Sequence, residues 1–156
     1  MAGDTQIQVI LAIDPGTEQS GWCRFSGGEV LASGVLPNSE LLPFLGPYHY
    51  PYTLAIEMVA SYGMPVGREV FETCVWIGRF IQAWHKPDEV KLIYRRDVKL
   101  ALCGSMKAKD ANIRQALLDK LGPVGTKKAP GPLYGVKSHA WAAVAVAVAV
   151  AAEAMK

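Results

Sequence analysis

Three side chains stand where they could do chemistry. Asp14 ends an apolar, β-branched run containing Ile7, Val9, Ile10 and Ile13, and Pro15-Gly16-Thr17 stops that run immediately afterwards. Glu57 finishes a second run, Leu54-Ala55-Ile56. A carboxylate at the end of a buried strand is costly unless it is paired, bound to a cation or placed at the rim. If the two strands are neighbours, both carboxylates meet at one edge of a sheet, and two hard oxygen ligands there suit Mg²⁺ or Mn²⁺. If they are not, each is a solvent-facing strand end; position alone leaves both readings open. His139 is the third. Apart from Ser138 and the indole N–H of Trp141, its imidazole is the polar group available at the start of a long Ala/Val segment, either as a ligand or as a solvent-facing ring.

These residues need elements to position them. Strands are expected at 7–13, 20–25 and 29–36, with Ser26-Gly27-Gly28 as a hairpin turn, so three antiparallel strands open the chain. A short helix at 39–45 has Ser39 as its cap. A Pro/Tyr loop at 46–52 leads to a fourth strand at 53–58. The stretch 65–84 reads as a long helix with Pro65 in its first turn and a buried face of Val66, Val70, Cys74, Ile77, Ile81 and Trp84. A short strand follows at 91–94, then helices at 96–102 and 109–121 with Gly104 between them. A Gly/Pro/Lys loop over 122–137 precedes a last helix capped by Ser138. The Val/Ala alternation at 144–150 has the period of a strand, but Ala content, length and the cap favour a helix. The expected fold is α/β, a mixed five-stranded sheet flanked by helices, in one domain spanning 1–156.

Composition narrows the class. Of 156 residues, 51% are hydrophobic and 19% charged, which excludes a disordered chain. The Ala/Val run at 140–152 is shorter than the roughly 20 residues a bilayer requires, so no membrane span is expected. Cys23, Cys74 and Cys103 form no C-x-x-C pair, which argues against structural zinc and a disulfide framework. Met1-Ala2-Gly3-Asp4 shows no secretory pattern, and the expectation is a cytoplasmic protein with reduced thiols. Net charge is +2, unevenly spread. Residues 1–60 carry six acidic side chains against Arg24, a balance of −5; the rest holds 15 of 16 basic and 8 of 14 acidic residues, a balance of +7. An acidic front half beside a basic back half suits carboxylates that hold metal next to lysines that hold phosphate, although such charges can equally be scattered on solvated faces.

Taken together, the motifs resemble a known family. Leu11-Ala12-Ile13-Asp14-Pro15-Gly16-Thr17 with Ser20-Gly21-Trp22, then Ile56-Glu57, then Val98-Lys99 with Gly104 and Ala108-Lys109, and finally Ser138-His139-Ala140-Trp141-Ala142-Ala143 occur in the order found in RuvC-type Holliday-junction resolvases of the RNase H-like superfamily. The divergent stretch 61–69 is more similar to compact phage and prophage versions. The resemblance implies a metal-dependent endonuclease acting on branched DNA through two Mg²⁺ or Mn²⁺ ions present with substrate, and no small-molecule cofactor. It implies that Asp14 bridges the ions, that Glu57 binds one of them, and that His139 takes the penultimate ligand place. An imidazole there favours Mn²⁺. Lys99 matches a lysine near the phosphate path, and Lys109, beside the place of another, joins the catalytic set. Lys107, Lys127 and Lys128 extend the DNA-binding surface. Tyr62 is the nearest candidate for an aromatic that stacks on an unpaired base.

One departure stands out. The family has an acid three residues after the His139 position, and this chain has Ala142. Three explanations compete: a site with fewer ligands, substitution by Asp110 or another acid, or a junction binder that cuts poorly. A non-catalytic junction-binding protein and an RNA-processing nuclease of the same fold are therefore alternatives. A sugar-kinase-like ATPase, suggested by Asp14-Pro15-Gly16-Thr17, needs two such domains. A symmetric junction suggests a homodimer, formed through the long helix, whose second side carries Phe71, Val75 and Phe80 unless these are core.

Overall fold

The computed structural model describes residues 8–46 and 52–156. Ile7 and most of the Pro/Tyr stretch lie outside them. Strands β1 (Val9–Asp14), β2 (Gln19–Ser26) and β3 (Glu29–Pro37) form an antiparallel meander; β4 (Tyr52–Met58) and β5 (Lys91–Tyr94) extend it in parallel, giving the order β3-β2-β1-β4-β5. This is the mixed five-stranded sheet expected, with its three antiparallel strands first. The β2–β3 turn has Gly27 and Gly28 at φ 60° and 81°, the positive values that a two-residue hairpin loop matching strand twist demands.

Alternation along the strands divides the molecule into two cores. Leu11, Ile13, Leu54 and Ile56 face α1 (Asn38–Leu45) and α2 (Arg68–Ala83), where Leu41, Leu45, Ile77, Phe80 and Trp84 cover them. Ile10, Ala12, Cys23, Phe25 and Ala55 face the other side, covered by α3 (Arg95–Cys103), α4 (Asp110–Leu121) and α5 (Ala140–Ala154). The α5 segment is the Ala/Val run. It lies against the sheet and under α3 and α4, and every residue from Ala143 to Val150 is buried. A helix hydrophobic on all sides has no polar face, and its small side chains let it approach the strands closely. The two-residue alternation is therefore helical after all. Among the described residues, no helix is long and apolar enough to cross a membrane.

Three local expectations are corrected. The long helix begins at Arg68, not Pro65, and Val66 is exposed. Its buried face is Thr73, Ile77, Phe80 and then Trp84 rather than the stripe through Val66, Val70, Cys74 and Ile81. Both stripes have helical spacing, and the one carrying the bulky Phe80 removes more apolar surface from water. Phe80 is thus core, whereas Phe71 and Val75 are exposed. Ser39 lies inside α1, whose N-cap is Pro37, and Ser138 does not cap α5; His139 occupies that position, and neither helix has a side-chain cap.

Candidate active site

The sheet register brings the carboxylates together. Ile10, Ala12 and Asp14 share one face of β1, and Ala55 and Glu57 share the same face of β4. Ala12 pairs with Ala55 and Ile13 with Ile56, so one further step sets Asp14 beside Glu57, at the strand ends and on the side covered by α5. On the other flank Asp14 pairs with Gly21. A Cβ on Gly21 would stand 2.3 Å from the carbonyl oxygen of His139, a separation no real contact allows. The bare glycine therefore lets the start of α5 settle on the sheet, and His139 Nδ1 lies 3.4 Å from Asp14 Oδ2.

A buried polar network fixes the loop behind Asp14. Ser20 Oγ accepts from Gly16 N–H at 3.2 Å and donates to Asn38 Oδ1 at 2.6 Å; Asn38 Nδ2 donates to the Gly16 carbonyl at 2.9 Å, and Asn38 N–H to that of Glu18 at 2.8 Å. Ser20 and Asn38 are fully buried, so their polar groups depend on these partners. Ser20 belongs to the Ser20-Gly21-Trp22 motif, but Asn38 carried no signal on its own, because the network closes across separate elements.

Electrostatics mark the pair as a seat for a cation. Burial raises the pKa of Asp14, against the lowering effects of a hydrogen bond with Glu57 and the charges of His139 and Arg95. Glu57 is pushed up to about 8, first by burial and next by the Asp14 charge, with Arg95 offsetting part of this. Both carboxyl groups therefore hold a proton more readily than free ones, Glu57 the more strongly. Arg95 Nη1 lies 3.8 Å from Glu57 Oε1, and its other terminal nitrogen pairs with Asp110. Arg95 escaped the sequence reading. The signal was there, since it follows Ile93 by two residues and so continues the β5 side-chain row that packs beside Glu57.

Asp14, Glu57, Tyr62, Arg95, Asp110, His139 and Ala142 line one cleft of about 380 Å³. Asp110, a helix away in sequence, thus shares the cleft with Ala142. Tyr62 lies at its wall in a left-handed conformation (φ 50°), with the Arg96 guanidinium over its ring. Lys109, next to Asp110, is exposed at the N-cap of α4; Lys107 is exposed just before it, and Lys99 is half-buried on α3. Lys127 and Lys128 are exposed in the turn between Gly125 and Pro130. The adjoining Pro130–Tyr134 stretch shares a depression with Gly27 and Gly28, at the opposite end of the sheet from Asp14, so these two lysines are not gathered with the carboxylates.

A divalent cation suits this donor set: a buried Glu57 whose pKa is raised by burial and by the Asp14 charge, Asp14 largely buried beside it, and an imidazole alongside. Among the described residues, no group of three His, Cys, Asp or Glu is already gathered around a metal position. Asp14 and Glu57 are the core of any such site, and His139 stands beside it, its side chain 59% exposed.

No protein-family model matches the sequence, and no curated protein matches it. Solved structures do. RuvC of Thermus thermophilus is 21% identical, with 95% of this chain and 96% of that chain covered at a TM-score of 0.68. The same organism's RuvC in complex with Holliday junction substrate is 22% identical, with 94% of each chain covered at 0.67. With TM-scores of 0.68 and 0.67 over almost the whole of both chains, this chain has the RuvC-type, RNase H-like fold.

Proposed function

We propose that this protein is a divalent-metal-dependent endonuclease that cuts branched DNA, Holliday junctions in particular, by hydrolysing a phosphodiester bond at the Asp14–Glu57 cleft. The observation that carries the reading is the pairing of buried Glu57 with largely buried Asp14 on adjacent strand ends, with His139 3.4 Å from Asp14. The substrate class is supported by a neighbour of the same fold having been solved on a Holliday junction.

Asp14 and Glu57 hold Mg²⁺ or Mn²⁺, two ions with substrate, and His139 completes the donor set. Bound there, the metal supplies Lewis acidity and lowers the pKa of a water. The protein's own groups do the rest. Ser20 and Asn38 keep the Asp14 loop rigid, so that the carboxylate need not reorganise. Arg95 holds Glu57 and Asp110 apart from one another's charge and faces the same cleft as the phosphate. Lys99, Lys107 and Lys109 attract the backbone, while Tyr62 stacks on a base at the branch. A two-fold substrate is matched by a homodimer formed through the exposed Phe71 and Val75 of α2.

The test is cleavage of a four-way junction and a linear duplex in Mg²⁺ and in Mn²⁺, with Asp14→Asn and Glu57→Gln as controls. Junction-selective nicking lost in both variants supports the reading. Tight junction binding without nicking in either metal overturns it in favour of a non-catalytic junction binder, the second reading, which Ala142 in the cleft wall favours. Preferential cutting of structured RNA would shift the substrate class.

A further inference from the structure

A second concave space lies beside Ala142. This cavity of about 470 Å³ shares Arg95, Asp110, His139 and Ala142 with the first and runs on to Arg114 and Trp141. Ala142 lines both spaces, and a longer side chain there would intrude between them. The far wall is a cationic ledge: the Arg114 guanidinium lies 4.3 Å from the centre of the Trp141 ring. Arg114 is exposed and makes no ion pair among the described residues, unlike Arg95, which is engaged by Glu57 and Asp110. A guanidinium backed by an indole and facing a concave space offers a flat, positive surface on which a nucleobase can stack without regard to its identity. Arg95, at the junction of the two cavities, supplies a positive charge for the phosphate next along the chain.

We propose that this second cavity is a nucleotide subsite: it takes one unpaired nucleotide next to the scissile phosphate, with its base on the Arg114–Trp141 ledge and its phosphate toward Arg95. The proposal rests on the nuclease reading of the first cleft. A paired base cannot enter, since reaching the ledge requires leaving the stack, so the subsite selects DNA that already has unpaired bases, as at a branch point. Ala142 has a positive role here, as the low saddle over which the strand passes.

The test is photo-crosslinking of the full-length protein to four-way junctions carrying 5-iodouracil at successive positions on either side of the branch point, in EDTA so that no strand is cut. The expected result is a crosslink to Trp141 from one or two adjacent positions. Binding measured alongside is expected to weaken about 5–150-fold for junctions with Arg114→Ala, the range for loss of one stacked base, while affinity for plain duplex stays close to that of the unsubstituted protein. Arg114 is exposed, so this change leaves the fold intact; Trp141→Phe, which keeps an apolar ring in place, and Ala142→Leu, which fills the saddle, are expected to weaken junction binding in the same selective way. Bound junctions that crosslink only to other residues such as Tyr62, or Arg114→Ala weakening duplex and junction alike, overturn the subsite and leave the nuclease reading standing. Failure of the unsubstituted protein to bind any junction overturns both.

Discussion

Gly21 and His139 are in backbone contact across the site: a Cβ on Gly21 would reach within 2.3 Å of the His139 carbonyl oxygen and 2.9 Å of the Ala140 nitrogen. Both obstructing groups are backbone, so neither can rotate away. Gly21→Ala must therefore lift the start of α5 from β2, and with it the imidazole from Asp14. The expected outcome is a stable protein, weakened by about 1–3 kcal/mol as overpacking usually costs, whose junction cleavage falls at least tenfold. Melting curves and single-turnover cleavage measure the two effects. Unchanged cleavage at wild-type stability would show that His139 needs no such seat.

Glu57 makes the metal-free protein less stable as pH rises. Its folded pKa, about 8, lies above the ordinary value of 4.5. A raised carboxyl pKa means that the folded state binds the proton more tightly; its contribution is fully present below about pH 4.5 and is lost as pH climbs to about 8. Glu57→Gln imitates the protonated group at all pH values. The variant is therefore expected to melt together with the wild type in acid and above it from neutral pH upward, by about 1–3 kcal/mol, or about 2–12 °C. Mn²⁺ should raise the wild type and not the variant, closing the gap, while the variant fails to cleave. Melting curves of both proteins across pH, with and without Mn²⁺, test this. A wild type as stable as Glu57→Gln in alkaline EDTA would sink the account.

The Ser20–Asn38 pair is a structural device for Asp14. Asn38→Ala removes the acceptor of the Ser20 hydroxyl proton and the side-chain donor to the Gly16 carbonyl, and Ser20→Ala removes the donor to Asn38 Oδ1 and the acceptor of Gly16 N–H. Each is expected to cost about 1–3 kcal/mol, and the double variant clearly less than the sum, since the second change removes a group already orphaned. Denaturant unfolding of the four proteins in a double-mutant cycle measures this. Strict additivity would mean that the two side chains act independently.

Much of this was legible beforehand, and the limits were physical. Asp14 and Glu57 announced themselves because a charge closing an apolar strand is expensive, and alternation then fixed which face they share. Strand pairing order was not written in either strand, and the Ala/Val segment that covers them has no polar stripe to say which side faces what. The same lack of a local signal hid Asn38, whose partners are 18 and 22 residues away. The α2 stripe was misplaced because two faces had helical spacing and only the sheet beneath decides between them. Ser138 reads as a cap by residue type, yet its φ of 50° places it in the tight turn that delivers His139.

Metal preference should follow His139. Imidazole suits Mn²⁺ better than Mg²⁺, whereas an oxygen ligand accommodates Mg²⁺ readily. The wild type is expected to cleave faster in Mn²⁺, and His139→Asp to raise the ratio of Mg²⁺-supported to Mn²⁺-supported cleavage by at least threefold. The His139 side chain is more than half exposed, so the change should leave folding nearly unaffected. Cleavage rates at matched, saturating concentrations of each metal check it. An identical ratio in the two proteins would place His139 outside the donor set.

Assembly gives the last test. Phe71 and Val75 are four residues apart on α2, on one face, and each is 62% exposed. A helix shows two large apolar side chains to water at a cost that association removes. Paired cuts on a two-fold junction need two active sites, and a two-fold dimer through this face would supply them. Sedimentation of the purified protein is expected to show a dimer, and Phe71→Glu with Val75→Glu a folded monomer, since neither residue belongs to the core that Ile77, Phe80 and Trp84 form. The monomer should still bind a junction but nick its two strands in uncoupled events, visible as accumulation of singly nicked, cruciform-bearing plasmid. A wild type that sediments as a monomer, or charged variants that remain dimeric, would move the interface elsewhere.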